Sequence, residues 1–291
     1  MWRFLKKFLI VCFSSTLGFV QAQNAISIAF KGFQGSHFYE SIDSENSKLL
    51  IFLHGGVANP YFKQPAQNIE VDFLLEDNNA FVHLAHQNSF DLIVPITNQN
   101  LDWLNEPEKT FNWIREYVKS NPKPYTEIYI SGFSDGGTGS FKIFYNHPNF
   151  FDGLVVFNGY PQHRNFHKTV DYEDVVDKKL VLVSTFKDKV IPYEFLMTEY
   201  VLQKSTNAQT YLYVTEGDHD FKSYTLVDLH KVFDVLTGVN RCGQKQALHG
   251  FLVNDTLQEV YPYRKKIVRQ FNHGKTVYEE NKSQLKRFKV N

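Results

Sequence analysis

The sequence contains very little cysteine, since only Cys12 and Cys242 occur among its 291 residues. Cys12 lies in an N-terminal stretch that we expect to be removed, which leaves Cys242 as the single cysteine of the mature chain. One cysteine cannot form an intramolecular disulfide, so an exported form must be stabilised by packing. The 43% hydrophobic content of a chain this long is sufficient for one large core.

Excess charge and common cofactor motifs are also missing from the sequence. Its 31 Lys and Arg residues balance 31 Asp and Glu residues, which does not favour nucleic acid as a partner. It has no glycine-rich dinucleotide fingerprint and no phosphate-binding loop. His83 and His86 are three residues apart, but no third ligand stands at a diagnostic spacing. We therefore expect no cofactor and no metal ion.

Residues 1–22 have the order of a secretory signal peptide. The basic residues Arg3, Lys6 and Lys7 precede a mostly apolar run at 8–20, and small residues occupy the cleavage positions up to Ala22. The apolar run is shorter than the ~20 residues that a membrane-spanning helix needs. The sequence thus predicts cleavage after Ala22, a secreted or periplasmic location and no stable membrane anchor.

The last segment, residues 241–291, differs from the rest of the chain in charge and pattern. It has 11 Lys and Arg against 4 Asp and Glu, whereas residues 23–240 have 17 against 27. Turn residues separate short strand-like stretches at 251–253, 257–261, 267–271 and 276–278. We predict a catalytic domain at 23–240 and a basic, β-rich extension packed against it at 241–291. A surface-binding or sorting element is the alternative for the extension.

Between these ends the sequence alternates between strand-like and helix-like segments. Continuous apolar runs such as Lys48–Leu53 are typical of strands that are covered on both faces. The predicted strands are an edge strand at 26–33 and then 48–53, 92–96, 128–131, 153–157, 180–185 and 210–215. The predicted helices are 74–86, 107–120, 137–145, 194–204 and 226–237, the last one capped by Gly238. Repeated βα units predict an α/β fold with a mostly parallel sheet and helices on both faces.

The strand at 128–131 leads into Gly132-Phe133-Ser134-Asp135-Gly136, a G-x-S-x-G sequence at a strand-to-helix turn. This pattern is typical of a nucleophile elbow, where the serine sits in a strained turn. Glycine is needed two residues before and two residues after the serine, because a Cβ there would collide with the neighbouring strand or helix.

Asp188 and His219 follow the predicted strands at 180–185 and 210–215, and sites collect at such strand ends. A serine hydroxyl needs a base, and the base needs an acceptor that sets its tautomer. We therefore predict Ser134 as nucleophile, His219 as base and Asp188 as acid. Asp177 is a poorer acid because it precedes its strand, and we expect a structural role for His54.

A tetrahedral intermediate also needs backbone amides that stabilise its oxyanion. One donor is expected from Asp135, the residue after the nucleophile. The second is expected from the turn after the first buried strand, where Gly56 would let the backbone approach closely. Val57 is the alternative second donor.

Four motifs together resemble those of α/β-hydrolases of the serine esterase type, over about residues 26–238. They are Leu53-His54-Gly55-Gly56, Gly132 to Gly137, Asp188 to Pro192, and Gly217-Asp218-His219. The resemblance implies the α/β-hydrolase fold, the Ser134–Asp188–His219 triad, and oxyanion donors at Gly56 and Asp135. The doubled Gly136-Gly137 is shared with feruloyl-esterase-like and polyester-depolymerase-like enzymes and with prolyl-oligopeptidase-type peptidases.

The resemblance and the predicted export together imply a secreted serine hydrolase that cleaves carboxylic esters through an acyl-enzyme intermediate. Acyl groups on polysaccharides are the expected substrate. A prolyl-oligopeptidase-like serine peptidase is one alternative, and a non-catalytic binding protein on a hydrolase scaffold is the other. Residues 158–179 are too few for a full helical cap, so we expect a small lid or a pocket wall there.

Overall fold

A ten-stranded sheet runs through the computed structural model, which describes residues 26, 28–57, 74, 79–98, 101–161, 172–206, 209–238, 250–253 and 256–259. The strands are β1 (Ala29–Phe33), β2 (Ser36–Ser41), β3 (Lys48–Leu53), β4 (Phe90–Pro95), β5 (Glu127–Phe133), β6 (Gly153–Phe157), β7 (Lys179–Thr185), β8 (Thr210–Thr215), β9 (Gly250–Val253) and β10 (Thr256–Glu259). Their order across the sheet is β1-β2-β4-β3-β5-β6-β7-β8-β9-β10. Neighbours from β4 to β9 are parallel, and the pairs β1–β2, β2–β4 and β9–β10 are antiparallel. The predicted mostly parallel sheet is confirmed.

Helices cover both faces of this sheet. They are α1 (Ala80–Gln87), α2 (Pro107–Ser120), α3 (Asp135–Asn146), α4 (Tyr193–Thr206) and α5 (Leu226–Thr237). Side chains of α2, α3 and α4 share one core cluster with Leu49, Ile51 and Leu53, while α1 and α5 share the other with Leu50 and Phe52. Alternate residues of β3 thus face opposite cores, which explains its continuous apolar run. Within the described ranges, no helix is long and apolar enough to cross a membrane.

The helix predicted from Leu74 to His86 is interrupted at Asn79. Leu74 is helical, residues 75–78 lie outside the described residues, and α1 begins at Ala80. Asn79 lies immediately before α1 with φ −56° and ψ 121°, outside helical geometry. Its side-chain oxygen accepts hydrogen bonds from the backbone amides of Phe81 (2.9 Å) and Val82 (3.2 Å). Such an N-cap satisfies amides that have no partner within the helix, so the helix starts at Ala80. The apolar pattern before Asn79 led the prediction past this start signal.

The strand next to the edge, β2, was missed by the sequence pattern; it lies between β1 and β4. It forms a hairpin with β1 through Gln34 and Gly35, whose φ angles of 48° and 74° are both positive. Two-residue turns of this kind match the twist of paired strands. The Gln34-Gly35 pair was therefore the sequence signal for this hairpin. Ser36–Ser41 was overlooked because Phe38 is its only buried large apolar side chain.

Two of the strands predicted in the C-terminal extension are confirmed as β9 and β10. Leu252 of β9 lies opposite Tyr213 of β8 in parallel register, and β10 pairs antiparallel with β9. The extension therefore lengthens the sheet at the β8 edge. The two further predicted strands of the extension and the predicted signal peptide lie outside the described residues.

Truncation after Val239 is expected to leave a folded chain that self-associates more than the full chain. It removes β9 and so exposes the backbone hydrogen-bonding groups of β8, and an unpaired edge strand invites pairing with another chain. Circular dichroism and size-exclusion chromatography of both chains would measure this. A truncated chain without native-like dichroism would instead show that the extension completes the core.

Candidate active site

Ser134 occupies a strained turn between β5 and α3. Its φ of 55° and ψ of −119° lie in a region that non-glycine residues rarely adopt, at a cost of about 1–3 kcal/mol. The Ser134 amide donates to the Phe157 carbonyl (2.9 Å), and the Ser134 carbonyl accepts from the Thr138 amide (3.0 Å). These bonds to β6 and to the first turn of α3 hold the serine at the carboxyl edge of the sheet.

The glycines around Ser134 are required by close backbone packing. A Cβ on Gly132 would overlap the Gly136 backbone, and a Cβ on Gly136 would overlap the carbonyl group of Leu53 in β3. A Cβ on Gly137 would lie 3.0 Å from the Gly159 Cα. The steric reason predicted for the two glycines of the motif is confirmed, and Gly137 adds a third close approach.

Three side chains form a continuous hydrogen-bonded chain at this edge. Ser134 Oγ lies 2.8 Å from His219 Nε2, and His219 Nδ1 lies 2.7 Å from Asp188 Oδ2. Asp188 and His219 stand on the loops that follow β7 and β8. Those loops are tied together by hydrogen bonds from the Phe186 and Lys187 amides to the Thr215 and Gly217 carbonyls. The structure thus brings together all three predicted triad residues, whose catalytic roles stay predictions.

The Asp188 carboxylate is buried and receives four hydrogen bonds. Oδ1 accepts from the backbone amides of Val190 and Ile191, both at 2.8 Å. Oδ2 accepts from His219 Nδ1 and from Asn158 Nδ2. Burial alone would raise the pKa of Asp188, but the hydrogen bonds from His219, Ile191 and Asn158 outweigh it, so the pKa lies below its usual value.

The ionised Asp188 determines which tautomer His219 adopts. A carboxylate only accepts hydrogen bonds, so the proton between the two groups sits on His219 Nδ1. In the neutral imidazole, Nε2 is then unprotonated and accepts the hydrogen bond from the Ser134 hydroxyl. This is the arrangement that a general base requires.

Sequence reasoning missed two residues that contact the acid or its partner. Asn158 Nδ2 donates to Asp188 Oδ2, and Tyr224 donates its hydroxyl hydrogen to Asn158 Oδ1. Asn158 directly follows β6, so the strand-end rule that pointed to Asp188 could have found it. No local pattern marks Tyr224, because its contact spans 66 residues of sequence.

The predicted oxyanion donors lie at two different ends of secondary structure. Asp135 is the first residue of α3, where backbone amides face the helix terminus. Gly56 follows β3 with a φ of 73°. Among the described residues, no atom lies within 4 Å of the place a Gly56 Cβ would take. The left-handed backbone is a reason for glycine there, and the close approach of this backbone to an oxyanion stays a prediction. Donation by Asp135, Gly56 or Val57 stays a prediction.

His54 is buried and fully engaged as a hydrogen-bonding residue. Its Nε2 accepts from the Thr97 amide (3.2 Å), so Nδ1 carries the proton and donates to the Gly55 carbonyl (2.8 Å). The Trp103 ring packs edge-on at a centroid distance of 4.7 Å. Burial lowers the pKa of His54 to about 4. His54 thus ties the turn after β3 to the segment after β4, in agreement with the expected structural role.

This buried histidine predicts that acid destabilises the fold. In the unfolded chain His54 would take up a proton near its reference pKa of about 6.5, whereas in the folded chain it does so only near a pKa of about 4. The unfolded state therefore binds more protons between these values, and stability falls as pH falls. His54 should contribute a loss of about 2 kcal/mol between about pH 6.5 and about pH 5.

Urea unfolding of the wild type and of His54→Gln over this pH range would measure the contribution. The variant is expected to be less stable at neutral pH but to have the shallower pH dependence. Equal slopes in the two proteins would contradict the assignment of a buried neutral His54.

No protein-family model and no curated protein sequence matches the chain. Solved structures do match. A predicted CIB-like hydrolase from Thermoplasma acidophilum superimposes with a TM-score of 0.54 and 17% identity over 74% of this chain and 99% of its own. An esterase from Pyrococcus furiosus gives a TM-score of 0.53 and 12% identity over 73% of this chain and 93% of its own.

The chain has the α/β-hydrolase fold. An acylaminoacyl peptidase from Pyrococcus horikoshii shares it at a TM-score of 0.52 and 13% identity, over 74% of this chain and 41% of the peptidase. At these identities the likeness concerns the fold alone. Within the part of this α/β-hydrolase fold that the structure describes, no group of three or more His, Cys, Asp or Glu residues is placed to hold a metal ion.

Proposed function

We propose that the protein is a serine hydrolase that cleaves carboxylic esters through an acyl-enzyme intermediate. The observation that carries this proposal is the hydrogen-bonded chain from Ser134 Oγ through His219 to Asp188 at the elbow. A serine hydroxyl is a weak nucleophile until a base takes its proton. Here the unprotonated nitrogen of His219 lies 2.8 Å from that hydroxyl.

In the acylation step, the Ser134 oxygen attacks the ester carbonyl while its proton moves to His219 Nε2. The imidazolium that forms is stabilised by Asp188, which accepts a hydrogen bond from Nδ1 throughout and stays ionised. The carbonyl oxygen becomes an oxyanion stabilised by the amide of Asp135 and by that of Gly56 or Val57. Collapse breaks the bond to the alcohol, and His219 returns the proton to the departing alkoxide.

Deacylation repeats these steps with water in place of the serine. His219 takes a proton from water as the hydroxide oxygen attacks the acyl carbon. The second tetrahedral intermediate then releases the carboxylic acid and regenerates the Ser134 hydroxyl with the proton from His219. Each turnover consumes one ester and one water and produces one acid and one alcohol. The reaction needs no redox partner.

For the substrate we propose acyl groups on polysaccharides outside the cell. Tyr160 follows β6 shortly after Asn158, and its ring packs on Phe195 of α4 at a centroid distance of 4.8 Å. An aromatic pair beside a site can stack on sugar or phenolic rings. Residues 162–171 of the predicted lid or pocket wall lie outside the described residues. The substrate class therefore follows from the predicted export and from the chemistry of aromatic rings.

The test compares two small substrates before turning to polymers. Short-chain p-nitrophenyl esters and a dipeptide anilide would be assayed with the wild type and Ser134→Ala. We expect ester cleavage by the wild type alone, and released acid from a panel of acylated polysaccharides would then identify the acyl group. An inactive wild type on both small substrates would favour a non-catalytic binding protein.

A serine peptidase is the second candidate, because an acylaminoacyl peptidase shares the fold over 74% of this chain. The same triad chemistry cleaves amides when the leaving amine is positioned for protonation by the histidine. Faster turnover of the dipeptide anilide than of the esters would support the peptidase and overturn the esterase proposal.

We also propose that the protein is exported and cleaved after Ala22. The basic, apolar and small-residue order of residues 1–22 motivates this proposal. Intact-mass analysis of protein from the native host should give a mature chain that begins at Gln23. A mature chain that still begins at Met1 would contradict it.

A further inference from the structure

Asn158 lies at the carboxyl end of β6 in an unusual backbone conformation. Its φ of 45° is in the left-handed region, which asparagine tolerates better than most residues. The backbone amide of Asn158 donates to the Val183 carbonyl (2.8 Å) in β7, and the Asn158 side chain is fully buried. The backbone of Asn158 is therefore held by the neighbouring strand of the sheet.

Every hydrogen-bonding atom of the Asn158 side chain is in use. Nδ2 donates to Asp188 Oδ2 and to Thr185 Oγ1 (3.0 Å), while Oδ1 accepts from the Tyr224 hydroxyl. The orientation of the amide follows from chemistry, since a carboxylate can only accept and must face the NH₂ group. Thr185 supports this orientation, because its own hydrogen goes to the Asp218 carbonyl (2.8 Å).

The Asn158 side chain contacts the same Asp188 oxygen that binds His219. Oδ2 receives the Nδ1 hydrogen of His219 and the amide hydrogen of Asn158, so the asparagine restrains the carboxylate in the position that meets the imidazole. Thr185 extends the restraint to Asp218, the residue before His219. One side chain after β6 thus links the loop of the acid to the loop of the base.

We propose that Asn158 is a positioning residue of the triad, which holds the Asp188 carboxylate against His219 and is itself oriented by Tyr224. The inference rests on the proposed serine hydrolase chemistry. Tyr224 contributes by orienting Asn158, because its ring is buried and its hydroxyl donates to Oδ1. Loss of Asn158 leaves Asp188 with one donor fewer and lets the carboxylate turn away from the imidazole.

The first test measures how fast a fluorophosphonate labels Ser134. The reagent forms a bond to Oγ and releases fluoride, so the natural substrate does not need to be known. Asn158→Leu removes the donors at similar size and should slow labelling by about 10- to 100-fold, as expected for a hydrogen bond to a charged group. Tyr224→Phe removes a neutral hydrogen bond and should slow it by roughly 2- to 10-fold. The double variant should be no slower than Asn158→Leu alone, since both act through the same contact.

The second test uses the proton resonance of the hydrogen bond between His219 Nδ1 and Asp188. The chemical shift of this resonance should change in Asn158→Leu and, by a smaller amount, in Tyr224→Phe. Asn88→Leu is the matched control, because Asn88 is also buried but caps α1 through the Leu84 carbonyl (2.7 Å). This control should keep the wild-type resonance and labelling rate even if its melting temperature falls.

The outcomes separate the positioning role from the proposed function. A folded Asn158→Leu or Tyr224→Phe with the wild-type resonance and labelling rate would overturn the positioning role. If the wild type labels at Ser134 but cleaves no ester, the esterase proposal fails while the labelling rates still decide on Asn158. If Ser134 is not labelled at all, the hydrolase proposal fails and the resonance alone decides.

Discussion

Ser134→Ala is expected to lower kcat for a small ester by about 10⁶-fold, because it removes the atom that forms the acyl-enzyme. In the structure Ser134, His219 and Asp188 are linked by two hydrogen bonds and serve one proton transfer. Once Ser134 is absent, the other two side chains have no proton to move. Ser134→Ala combined with Asp188→Asn and His219→Ala should therefore be no slower than Ser134→Ala alone.

Steady-state kinetics of the single and triple variants, each checked by circular dichroism, would measure this. Ser120→Ala is a matched control, since Ser120 lies at the exposed end of α2 and its hydroxyl bonds only to the Tyr117 carbonyl among the described contacts. It should retain the wild-type rate. Wild-type turnover in folded Ser134→Ala would falsify the nucleophile assignment.

Asp188→Asn is expected to lower kcat by about 10⁴-fold while the protein stays folded. The reason lies in the four donors around this side chain. An amide has one oxygen, which can face either the backbone amides of Val190 and Ile191 or the imidazole of His219, but not both. With the oxygen on the backbone amides, the NH₂ group faces His219 Nδ1. That contact stabilises the tautomer whose Nε2 carries a hydrogen and cannot accept the serine proton.

Asp177→Asn provides the matched control for this variant. Asp177 is exposed and precedes β7, so the loss of its charge should leave kcat unchanged. Ester cleavage rates of both variants, together with thermal melting, would test the assignment. A normal rate in folded Asp188→Asn would transfer the acid role to another carboxylate and leave Ser134 and His219 in place.

The sheet and the approximate place of each triad residue could be predicted because both depend on local pattern. Runs such as Lys48–Leu53 are apolar throughout since they are buried on both faces, and this is visible in the sequence itself. The elbow glycines could be recognised in the sequence because only glycine fits at such positions. A Cβ added to Gly136, for example, would overlap the carbonyl group of Leu53. Polar residues after strands then pointed to Asp188 and His219.

Features that depend on contacts between distant segments could not be predicted in this way. The pairing of Ser36–Ser41 with β4 joins segments that are far apart in the sequence, and no spacing marks it. The restraint on Asp188 by Asn158 and Tyr224 spans residues 158 to 224, with no regular spacing to reveal it.

The sequence by itself determined the fold class, the elbow and the candidate nucleophile, acid and base, because these follow from burial patterns and from glycine at positions without space for a side chain. Only the tertiary structure decided that Asn158 donates to this acid and that β9 joins the sheet beside β8. Hydrogen bonds between loops depend on angles and distances of a few tenths of an ångström, which the order of residues does not encode locally.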